Sequence, residues 1–326
     1  MTGLPNHVAD AVLHSGRRIV VTGAGGWLGM ATLDLLKQVL GSELQERLFC
    51  FGSRERILRL VDGTEILQRP LSEIGQLEQL PTLILHLAFL TKDKASAMDE
   101  ADYRQANRDM ASKVLRAAEQ IGADRIFLAS SGAAKLADET GRPVDFRLYG
   151  EMKREDEDRF AEWAAADPRR CVAIGRIFNI SGPYINKHDS YALACFIVDA
   201  LAGRPILVRA PHPVIRGYVS VGELVSLILA ILVEGEPGVI RFETGGEPME
   251  LKAVADGVAA QFEGATVNRT AITNPVSDAY LGEDRSYRKI LDRYRIDPIS
   301  FEQQVIETAR YLEALQIGVV AGVRAC

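Results

Sequence analysis

The 326-residue chain has 47% hydrophobic residues, 25% charged residues and a formal net charge of −6. A chain of this length and composition can bury a sizeable core in one large or two small domains. The negative charge argues against a nucleic-acid partner. No segment reaches the ~18 apolar residues of a membrane span, and the opening stretch lacks the apolar core of a secretory signal. We therefore expect a cytoplasmic protein with no membrane partner.

The cysteines lie far apart in the sequence, at Cys50, Cys171, Cys195 and Cys326. None of them forms the closely spaced pairs that zinc sites and redox motifs use. We therefore expect small buried hydrophobic side chains or loose thiols, with no metal site and no disulfide framework.

The first half of the chain alternates short apolar runs with segments of helical periodicity. Strands are predicted at 18–22, 48–51, 83–87, 125–129 and 171–177, and helices at 27–39 and 103–121. This alternation is typical of strand–helix–strand units with right-handed crossovers. It predicts an α/β fold with a doubly wound parallel sheet that is covered by helices on both faces.

The rhythm changes after about Gly182. Helical patterns follow at 191–201, 221–233, 251–262 and 301–315, mixed with short strands at 206–208 and 239–242. This pattern predicts a smaller mixed lobe after the sheet. We place the dinucleotide-binding domain at 1–181 and the substrate-binding lobe at 182–326, with a segment near 214–240 returning to the first domain.

The first predicted strand is followed by a glycine-rich segment that opens the first helix, Thr22-Gly23-Ala24-Gly25-Gly26-Trp27-Leu28-Gly29. Gly23 permits a tight turn, Gly26 lets the backbone approach a pyrophosphate, and Gly29 lets the helix pack on the strand. The pyrophosphate then lies on backbone amides at the helix start, at Trp27 and Leu28. The strand before and the helix after supply the context of a Rossmann-type dinucleotide site.

The spacing of this segment, TGxxGxxG, resembles the extended branch of the short-chain dehydrogenase/reductase family. A second segment, His86-Leu87-Ala88-Phe89, resembles the HxAA stretch of that family at the end of its fourth strand. The resemblance implies that the backbone of Leu87, Ala88 and Phe89 lines the cofactor.

The residues after the second predicted strand bear on the choice between NAD and NADP. An acidic residue at such a strand end binds the adenosine ribose of NAD, whereas serine and arginine can hold the 2′-phosphate of NADP. Ser53 and Arg54 favour NADP. A shift of one residue would instead bring the carboxylate of Glu55 to that position and favour NAD.

A serine at a strand end and a tyrosine–lysine pair indicate chemistry at a carbinol or keto carbon. Tyr149 and Lys153 are four residues apart, so on a helix they share one face. A tyrosine of ordinary pKa ~10 is a poor base at neutral pH. A neighbouring ammonium and a cationic nicotinamide lower that pKa, so the phenol can exchange a proton with the alcohol as hydride moves. Ser131 can orient the same oxygen, and Lys153 can also bind the nicotinamide ribose.

The order of the motifs is similar to that of the short-chain dehydrogenase/reductase family: glycine loop, HxA, serine pair, then YxxxK. Counted from the strand end, Ser131 matches the catalytic serine of the family better than Ser130 does. Asn107 matches the family's asparagine on the helix beside the active site. The resemblance therefore implies an enzyme with Ser131, Tyr149, Lys153 and Asn107 as catalytic residues.

Two segments of the second half resemble nucleotide-sugar epimerases, dehydratases and reductases. They are Arg176-Ile177-Phe178-Asn179-Ile180-Ser181-Gly182-Pro183, similar to RxFNxYGP, and Arg216-Gly217-Tyr218-Val219-Ser220-Val221, similar to R-x-[FY]-V-x-V. The resemblance implies that Asn179 and Arg216 contact the diphosphate of a nucleotide sugar, a task that suits arginine. Ser181 stands where the family has tyrosine. A looser similarity over 284–289 implies Arg285 as a further substrate ligand.

Three reactions share this scaffold in the family that the chain resembles. Dehydration uses an Asp-Glu pair just after the serine position, and here Gly132 and Ala133 stand there, which argues against 4,6-dehydration. Reduction of a keto-sugar uses exchangeable NADPH, and the Ser53-Arg54 pair favours it. 4-Epimerisation, with NAD reduced and reoxidised in one turnover, fits the other features.

Two alternatives lie outside nucleotide-sugar chemistry. The departure at Ser181 leaves a reductase of a non-sugar carbonyl open. Some proteins of this fold bind NADP as non-catalytic regulators, although these commonly lack the tyrosine or the lysine.

In related enzymes the helices that correspond to Tyr103–Ile121 and to the helix from Tyr149 face their symmetry mates, so we expect a homodimer.

Overall fold

The computed structural model of the chain describes residues 2–320, with side chains through residue 315. The helices are α1 (Asn6–His14), α2 (Trp27–Leu40), α3 (Leu44–Arg47), α4 (Lys92–Ala95), α5 (Glu100–Gln120), α6 (Gly132–Leu136), α7 (Val144–Ala165), α8 (Ala192–Leu201), α9 (Val221–Glu234), α10 (Leu251–Ala259), α11 (Asp284–Arg293) and α12 (Phe301–Val320). The strands are β1 (Arg18–Thr22), β2 (Leu48–Gly52), β3 (Arg56–Arg59), β4 (Glu65–Pro70), β5 (Thr82–His86), β6 (Ala123–Ser131), β7 (Cys171–Ile177), β8 (Asn179–Ser181), β9 (Ile206–Val208), β10 (Val214–Arg216), β11 (Tyr218–Ser220), β12 (Gly238–Glu243), β13 (Met249–Glu250), β14 (Val267–Arg269) and β15 (Asp278–Tyr280).

One large sheet dominates residues 2–320 and has eight strands in the order β12-β7-β6-β5-β1-β2-β4-β3. Neighbouring strands are parallel except β3, which runs antiparallel to β4. The order turns back at β1, which pairs with β2 on one side and with β5 on the other. Ligands of such sheets bind beyond the carboxyl ends of the strands at this reversal. The predicted doubly wound α/β fold is confirmed.

The central strands are apolar because helices cover both faces of the sheet. All residues of β1 and all residues of β5 are buried. On one face, Val114 of α5 and Phe160 and Trp163 of α7 join Ile126 and Ile174 of the sheet in a single apolar cluster. This packing fixes α5 and α7, the helices with the predicted catalytic residues, against β6.

The chain forms two compact units. The larger unit comprises residues 3–177 and 225–243, and the described part of the smaller unit comprises residues 178–224 and 244–320, with Thr2. The sequence predicts the division at 181/182 and the returning segment near 214–240. The dinucleotide-binding and substrate-binding roles of the units stay predictions.

The smaller unit mixes short strands with helices, as predicted. Its strands pair as β13-β10-β15, β11-β8 and β14-β9. Helix α8 packs against α10 and α12. The sheets of this unit have only two or three short strands, so its helices provide most of the packing.

Several elements differ from the sequence prediction, among them α1, β3, β4 and α7. Residues 6–14, expected as a plain lead-in, form α1, because Val8 and Val12 share one face and are fully buried. The strands β3 and β4 are absent from the prediction. Helix α7 begins at Val144, not at Tyr149, because Pro143 provides the extended residue before the first turn.

Cys50 and Cys171 are buried and Cys195 is half-buried, all as free thiols, whereas Cys326 lies outside the described residues. Burial raises the pKa of the Cys50 thiol to about 12. Among the described residues, no helix has both the length and the apolarity to cross a membrane.

Replacement of Gly29 by alanine tests the packing of α2 on β1. A Cβ at Gly29 would lie 2.6 Å from the carbonyl oxygen of Gly23 and 2.7 Å from the carbonyl carbon of Ala24. Alanine is favoured in a helix by ~1 kcal/mol, but overlap with fixed backbone costs ~1–3 kcal/mol. We expect Gly29→Ala to lower the free energy of unfolding in denaturant titrations.

The control is Gly3→Ala, where the new Cβ would meet only the flexible side chain of Gln38 at 3.4 Å. This variant should unfold like the wild type. Equal stabilities of the Gly29 and Gly3 variants would contradict the packing argument.

Candidate active site

The glycine turn after β1 brings three pieces of backbone together. Gly23 has φ of 69°, which favours glycine, and a Cβ there would lie 2.6 Å from the amide nitrogen of Ala88. The Gly23 N–H donates to the carbonyl oxygen of Phe51 at 2.9 Å. The turn therefore touches the ends of both β2 and β5.

Helix α2 begins immediately after this turn. Gly26 is its N-cap and has no side chain to satisfy the first amides, and the first intrahelical bond runs from the Met30 N–H to the Gly26 oxygen at 2.8 Å. The first amides of a helix, here including Trp27 and Leu28, have no intrahelical acceptor and attract anions. The glycines of this turn, which add no side chains of their own, and these amides fit the pyrophosphate of a dinucleotide.

The segment after β5 is held in place by β1 and α5. Thr22 accepts the Leu87 N–H on its carbonyl oxygen at 3.1 Å and the Ala88 N–H on its hydroxyl at 3.3 Å. Further along, the side-chain oxygen of Asn107 accepts the Leu90 N–H at 3.0 Å, and the Tyr103 hydroxyl donates to the Leu90 carbonyl at 2.6 Å. Both ends of the segment that carries Leu87, Ala88 and Phe89 are therefore fixed.

Asn107, predicted as catalytic, is 1% exposed, and its amide also donates to the Tyr103 carbonyl at 3.1 Å. These backbone bonds favour a positioning role for Asn107. The sequence did not predict that Tyr103 holds the segment after β5 through its bond to the Leu90 carbonyl. The signal was present, since Tyr103 and Asn107 are four residues apart on one helix face.

His86 is neutral at physiological pH. Its Nδ1 lies 2.7 Å from the Thr22 hydroxyl, and its ring stacks on Phe160 with centroids 5.2 Å apart. Burial, with a smaller effect from the charge of Lys153, lowers the pKa of His86 to about 3. The histidine therefore links β1 to β5 structurally and is not a proton donor at neutral pH.

Ser53 and Arg54 lie in the turn after β2, and both are exposed. The Arg54 carbonyl accepts the Nε2–H of buried Gln68 at 2.9 Å, which holds the turn against β4. Glu55 is also exposed.

The predicted catalytic serine, Ser131, lies between two contacts that dock α7, one on β6 and one on α6. Lys153 Nζ donates to the carbonyl of Ala129 at 2.7 Å, on one side of Ser131. On the other side, a Cβ at Gly150 would lie 2.8 Å from the carbonyl carbon of Ala133, so glycine permits the close approach of α7. The Ser131 hydroxyl accepts the Ala133 N–H at 3.2 Å and caps α6.

The ring of Phe89 connects the predicted cofactor segment to Tyr149 and Lys153, the predicted catalytic pair. It meets the Tyr149 ring edge-on, with centroids 5.6 Å apart. The Lys153 ammonium lies 3.7 Å from the Phe89 ring centre and 5.9 Å from the Tyr149 ring centre. The structure thus brings Phe89, Tyr149 and Lys153 together, with Lys153 also bound beside Ser131.

Burial sets the protonation behaviour of Lys153, which is 5% exposed. Loss of hydration lowers the pKa of Lys153 to about 8, against the opposing charges of Asp156 and Glu157. Burial raises the pKa of Asp156 to about 6. One oxygen of Asp156 is buried without a hydrogen-bond partner. The positive charge of Lys153 near the Tyr149 phenol therefore depends on Asp156 and Glu157, which the sequence analysis did not identify.

Glu157 connects α7 to the two strands beside it. Arg176 of β7 donates to both of its carboxylate oxygens, at 2.9 and 2.8 Å, and the Ser130 hydroxyl donates to it as well. Arg176 also lies 3.6 Å from Glu243. The Ser130 hydroxyl is therefore used in a structural hydrogen bond to Glu157. The predicted catalytic role stays with Ser131.

In the smaller unit, the structure places Asn179 next to the segment of Arg216. The Asn179 amide donates to the carbonyls of Gly217 and Tyr280, both at 3.2 Å. Ser181 is fully buried and donates to the side chain of Gln304 at 2.7 Å. The hydroxyl that departs from the family pattern therefore has a structural partner within this unit.

Arg216 is tied to a carboxylate. Its Nη2 lies 2.6 Å from the Asp278 carboxylate, and its Nη1 donates to the carbonyls of Ile215 and Asp278, both at 2.9 Å. Arg285 is exposed in the first turn of α11, which Glu283 caps by accepting the N–H groups of Arg285 and Ser286. An anion bound by Arg216 would share this arginine with Asp278.

The pKa of Lys153 should fall further when Asp156 is neutralised, because Asp156 opposes the effect of burial on the ammonium. We expect Asp156→Asn to shift the titration of Lys153 below that of the wild type. The measurement is a pH titration of ¹³C-lysine-labelled protein by NMR, with the Lys153 signal assigned from Lys153→Met.

The matched control is Asp158→Asn, an exposed carboxylate two residues further along α7. Solvent screens its charge, so the Lys153 titration should not move. An unchanged Lys153 pKa in Asp156→Asn would show that this carboxylate does not support the ammonium.

Comparison with known proteins agrees with the motifs. UDP-glucuronic acid decarboxylase 6 of Arabidopsis thaliana is 25% identical over 250 residues, which cover 72% of this chain and 71% of the relative. Two solved structures share the fold. They are UDP-N-acetylglucosamine 4-epimerase of Methanobrevibacter ruminantium (17% identity, TM-score 0.67, 92% and 99% coverage) and UDP-glucose 4-epimerase of Stenotrophomonas maltophila with bound NAD and a formylated UDP-arabinopyranose (16%, 0.69, 93% and 99%).

Residues 19–242, well over half of the chain, match the NAD dependent epimerase/dehydratase family. The match runs from β1 through β12, and so includes the glycine turn, the YxxxK helix and the Arg216 segment. The chain belongs to the NAD-dependent epimerase/dehydratase family, and it is an enzyme of the extended short-chain dehydrogenase/reductase kind.

Proposed function

We propose that the protein transfers hydride at a carbinol or keto carbon of a nucleotide sugar. The observation that carries the proposal is the docking of Lys153 and Gly150 of α7 on either side of Ser131, with Tyr149 beside Lys153 and Phe89. The segment of Phe89 and the glycine turn next to it fit a dinucleotide. The named relatives act on or bind UDP-linked sugars, which supports the substrate class.

The residues of the proposed site have distinct roles. The first amides of α2 would hold the pyrophosphate of the dinucleotide, whose nicotinamide, when bound, would supply or accept the hydride. Lys153, kept charged with help from Asp156 and Glu157, stabilises the phenolate of Tyr149. Tyr149 takes the proton from the substrate hydroxyl or returns it to the carbonyl, and Ser131 orients that oxygen.

Hydride transfer without dehydration suits the residues that follow Ser131. Gly132 and Ala133 begin α6, and both are buried. Neither carries a group that can remove a proton or expel water at this place. Proton transfer in the proposed site therefore belongs to Tyr149.

Within this chemistry, we favour reduction of a keto-sugar with NADPH. The exposed arginines after β2 support it, because they can meet a 2′-phosphate. 4-Epimerisation with NAD is the second candidate, and it is supported by the NAD named in the family description and bound in the Stenotrophomonas enzyme. Reduction of a non-sugar carbonyl stays the alternative to a nucleotide-sugar substrate. The homodimer and the cytoplasmic location also stay predictions.

Removal of the Tyr149 hydroxyl tests the mechanism. In Tyr149→Phe we expect cofactor affinity to survive and turnover to fall by roughly 10²–10⁴, the loss typical of a positioned acid or base. Turnover is measured on a panel of nucleotide-linked sugars and keto-sugars with NADPH and NADH, by absorbance of the cofactor and NMR of the products.

The same panel separates the reactions. Stoichiometric NADPH consumption with loss of a keto-sugar supports reduction, whereas interconversion of two sugars without net consumption supports epimerisation. Near-normal turnover of Tyr149→Phe would refute the proposed proton transfer.

The pair Arg216 and Asp278 tests the substrate class. Truncation of an arginine that binds a phosphate removes charged hydrogen bonds of ~1.5–3 kcal/mol each, so Arg216→Ala should raise KM for a nucleotide sugar by roughly tenfold or more. Asp278→Asn keeps the shape but frees the arginine from its carboxylate, so KM should fall. Nicotinamide affinity, measured by titration, should be unchanged in both variants.

If a free sugar or a small ketone is turned over as well as its nucleotide-linked form, the diphosphate role of Arg216 is wrong. A rise of KM in both variants would also contradict it, because the carboxylate would then contribute to binding.

A further inference from the structure

A cavity of about 330 Å³ lies within the smaller unit, and every residue that lines it belongs to that unit. Its walls come from β11 and the start of α9, from the chain at 246–249, from α11, and from the segment that leads into α12. The proposed catalytic groups and the proposed substrate contacts are not among the lining residues. The cavity is therefore a separate feature of the molecule.

The lining of this cavity is acidic. Three of its residues carry carboxylates, Glu223, Glu247 and Asp284, and one carries a guanidinium, Arg288. The Arg288 Nε donates to the Asp284 carboxylate at 2.7 Å, so this pair is neutral. The other two carboxylates face a lining with no further arginine or lysine. The cavity therefore favours a cation over an anion.

Glu223 is the most buried of these carboxylates, with 5% exposure. It accepts the Ile299 N–H at 2.6 Å, which fixes the carboxylate on the wall. Burial raises the pKa of Glu223 to about 7, although the Ile299 bond and the charge of Arg288 act in the opposite direction. The described residues thus compensate only in part for the burial of this charge, and a bound cation would complete the compensation.

A second buried group on the wall is a phenol. Tyr287 is 2% exposed, and its hydroxyl has no hydrogen-bond partner among the described residues. The hydroxyl lies close enough to Glu223 to lower the pKa of that carboxyl, so the two groups face each other. A buried hydroxyl without a partner is costly, and such groups usually bind water or a ligand. Tyr287 and Glu223 together therefore offer acceptors for a donor inside the cavity.

The rest of the lining is largely apolar. The rings of Tyr218 and Phe301 lie with their centroids 6.0 Å apart, and both residues line the cavity, as does buried Leu291. Aromatic faces attract both a cation and an apolar group. An ammonium group on a small apolar body matches this combination of acidic and apolar walls.

We propose that this cavity binds a small primary amine in its ammonium form, with Glu223 as the counter-charge and Tyr287 as a hydrogen-bond acceptor. An ammonium has three N–H donors and no acceptor, and carboxylate and phenol oxygens can accept them. The apolar body of the amine lies against Tyr218, Phe301 and Leu291. This site is additional to the dinucleotide and nucleotide-sugar sites proposed above and does not depend on them.

The test is a titration of the full chain with benzylammonium, followed by ligand-observed NMR. Benzyl alcohol and benzoate have a similar shape and serve as the neutral and the negative control. The wild type should bind benzylammonium at least roughly tenfold more tightly than benzyl alcohol, as expected of one charged hydrogen bond. Benzoate should bind more weakly than both.

Two variants assign the binding to the cavity. Tyr287→Phe removes a hydroxyl that has no partner, so it should not lower the free energy of unfolding, but it should weaken benzylammonium by roughly threefold or more. Glu223→Gln removes the charge, so the preference for benzylammonium over benzyl alcohol should disappear. The matched control is Asp292→Asn, an exposed carboxylate of α11 outside the lining, which should bind like the wild type.

Equal affinities of the wild type for benzylammonium and benzyl alcohol overturn the proposal, and so does the absence of saturable benzylammonium binding, which indicates a cavity that holds only water. Equal losses in Glu223→Gln and Asp292→Asn place the binding elsewhere. A fall in stability of Tyr287→Phe without a fall in affinity shows a structural hydroxyl and also contradicts the proposal. The titrations contain neither dinucleotide nor sugar, so a failure of the proposed hydride transfer would leave their outcome unchanged.

Discussion

The proposed dinucleotide site of the larger unit depends on a close approach of backbone to backbone between the ends of β1 and β5. A side chain at Gly23 would collide with Ala88, and Thr22 binds the chain after β5 through its carbonyl oxygen and through its hydroxyl. Because no side chain separates the two strand ends, Leu87 and Ala88 lie against the glycine turn. Phe89, one residue further, then reaches Tyr149 and Lys153.

The proposed catalytic pair, Tyr149 and Lys153, adds a second constraint, which is the burial of the Lys153 charge. A buried ammonium without partners would lose its proton. Burial lowers the pKa of Lys153 to about 8, and the charges of Asp156 and Glu157 prevent a larger fall. Glu157 also binds Arg176 and Ser130, so the charge that supports Lys153 is part of the packing of α7 on β6 and β7.

The strands and the glycine turn could be predicted from sequence because their signals are local. The apolar run of β1 and the spacing of Gly23, Gly26 and Gly29 lie within one short segment. The contact of the Arg56 guanidinium with Gly25 could not be predicted, because it depends on the β3–β4 hairpin, whose strands carry few apolar residues. The pairing of Arg216 with Asp278 was likewise hidden, since it joins residues far apart in the chain.

The placement of β12 has a consequence for synthesis of the chain on the ribosome. Its partner β7 ends at Ile177, and β12 begins roughly sixty residues later, at Gly238. At ~5–20 residues per second, the edge of β7 waits roughly 3 to 12 s for its neighbour. An exposed edge strand can pair with other chains. The nascent larger unit therefore carries an open sheet edge until all of the smaller unit's first segment, residues 178–224, has been made, and during this interval the edge can pair with neighbouring chains.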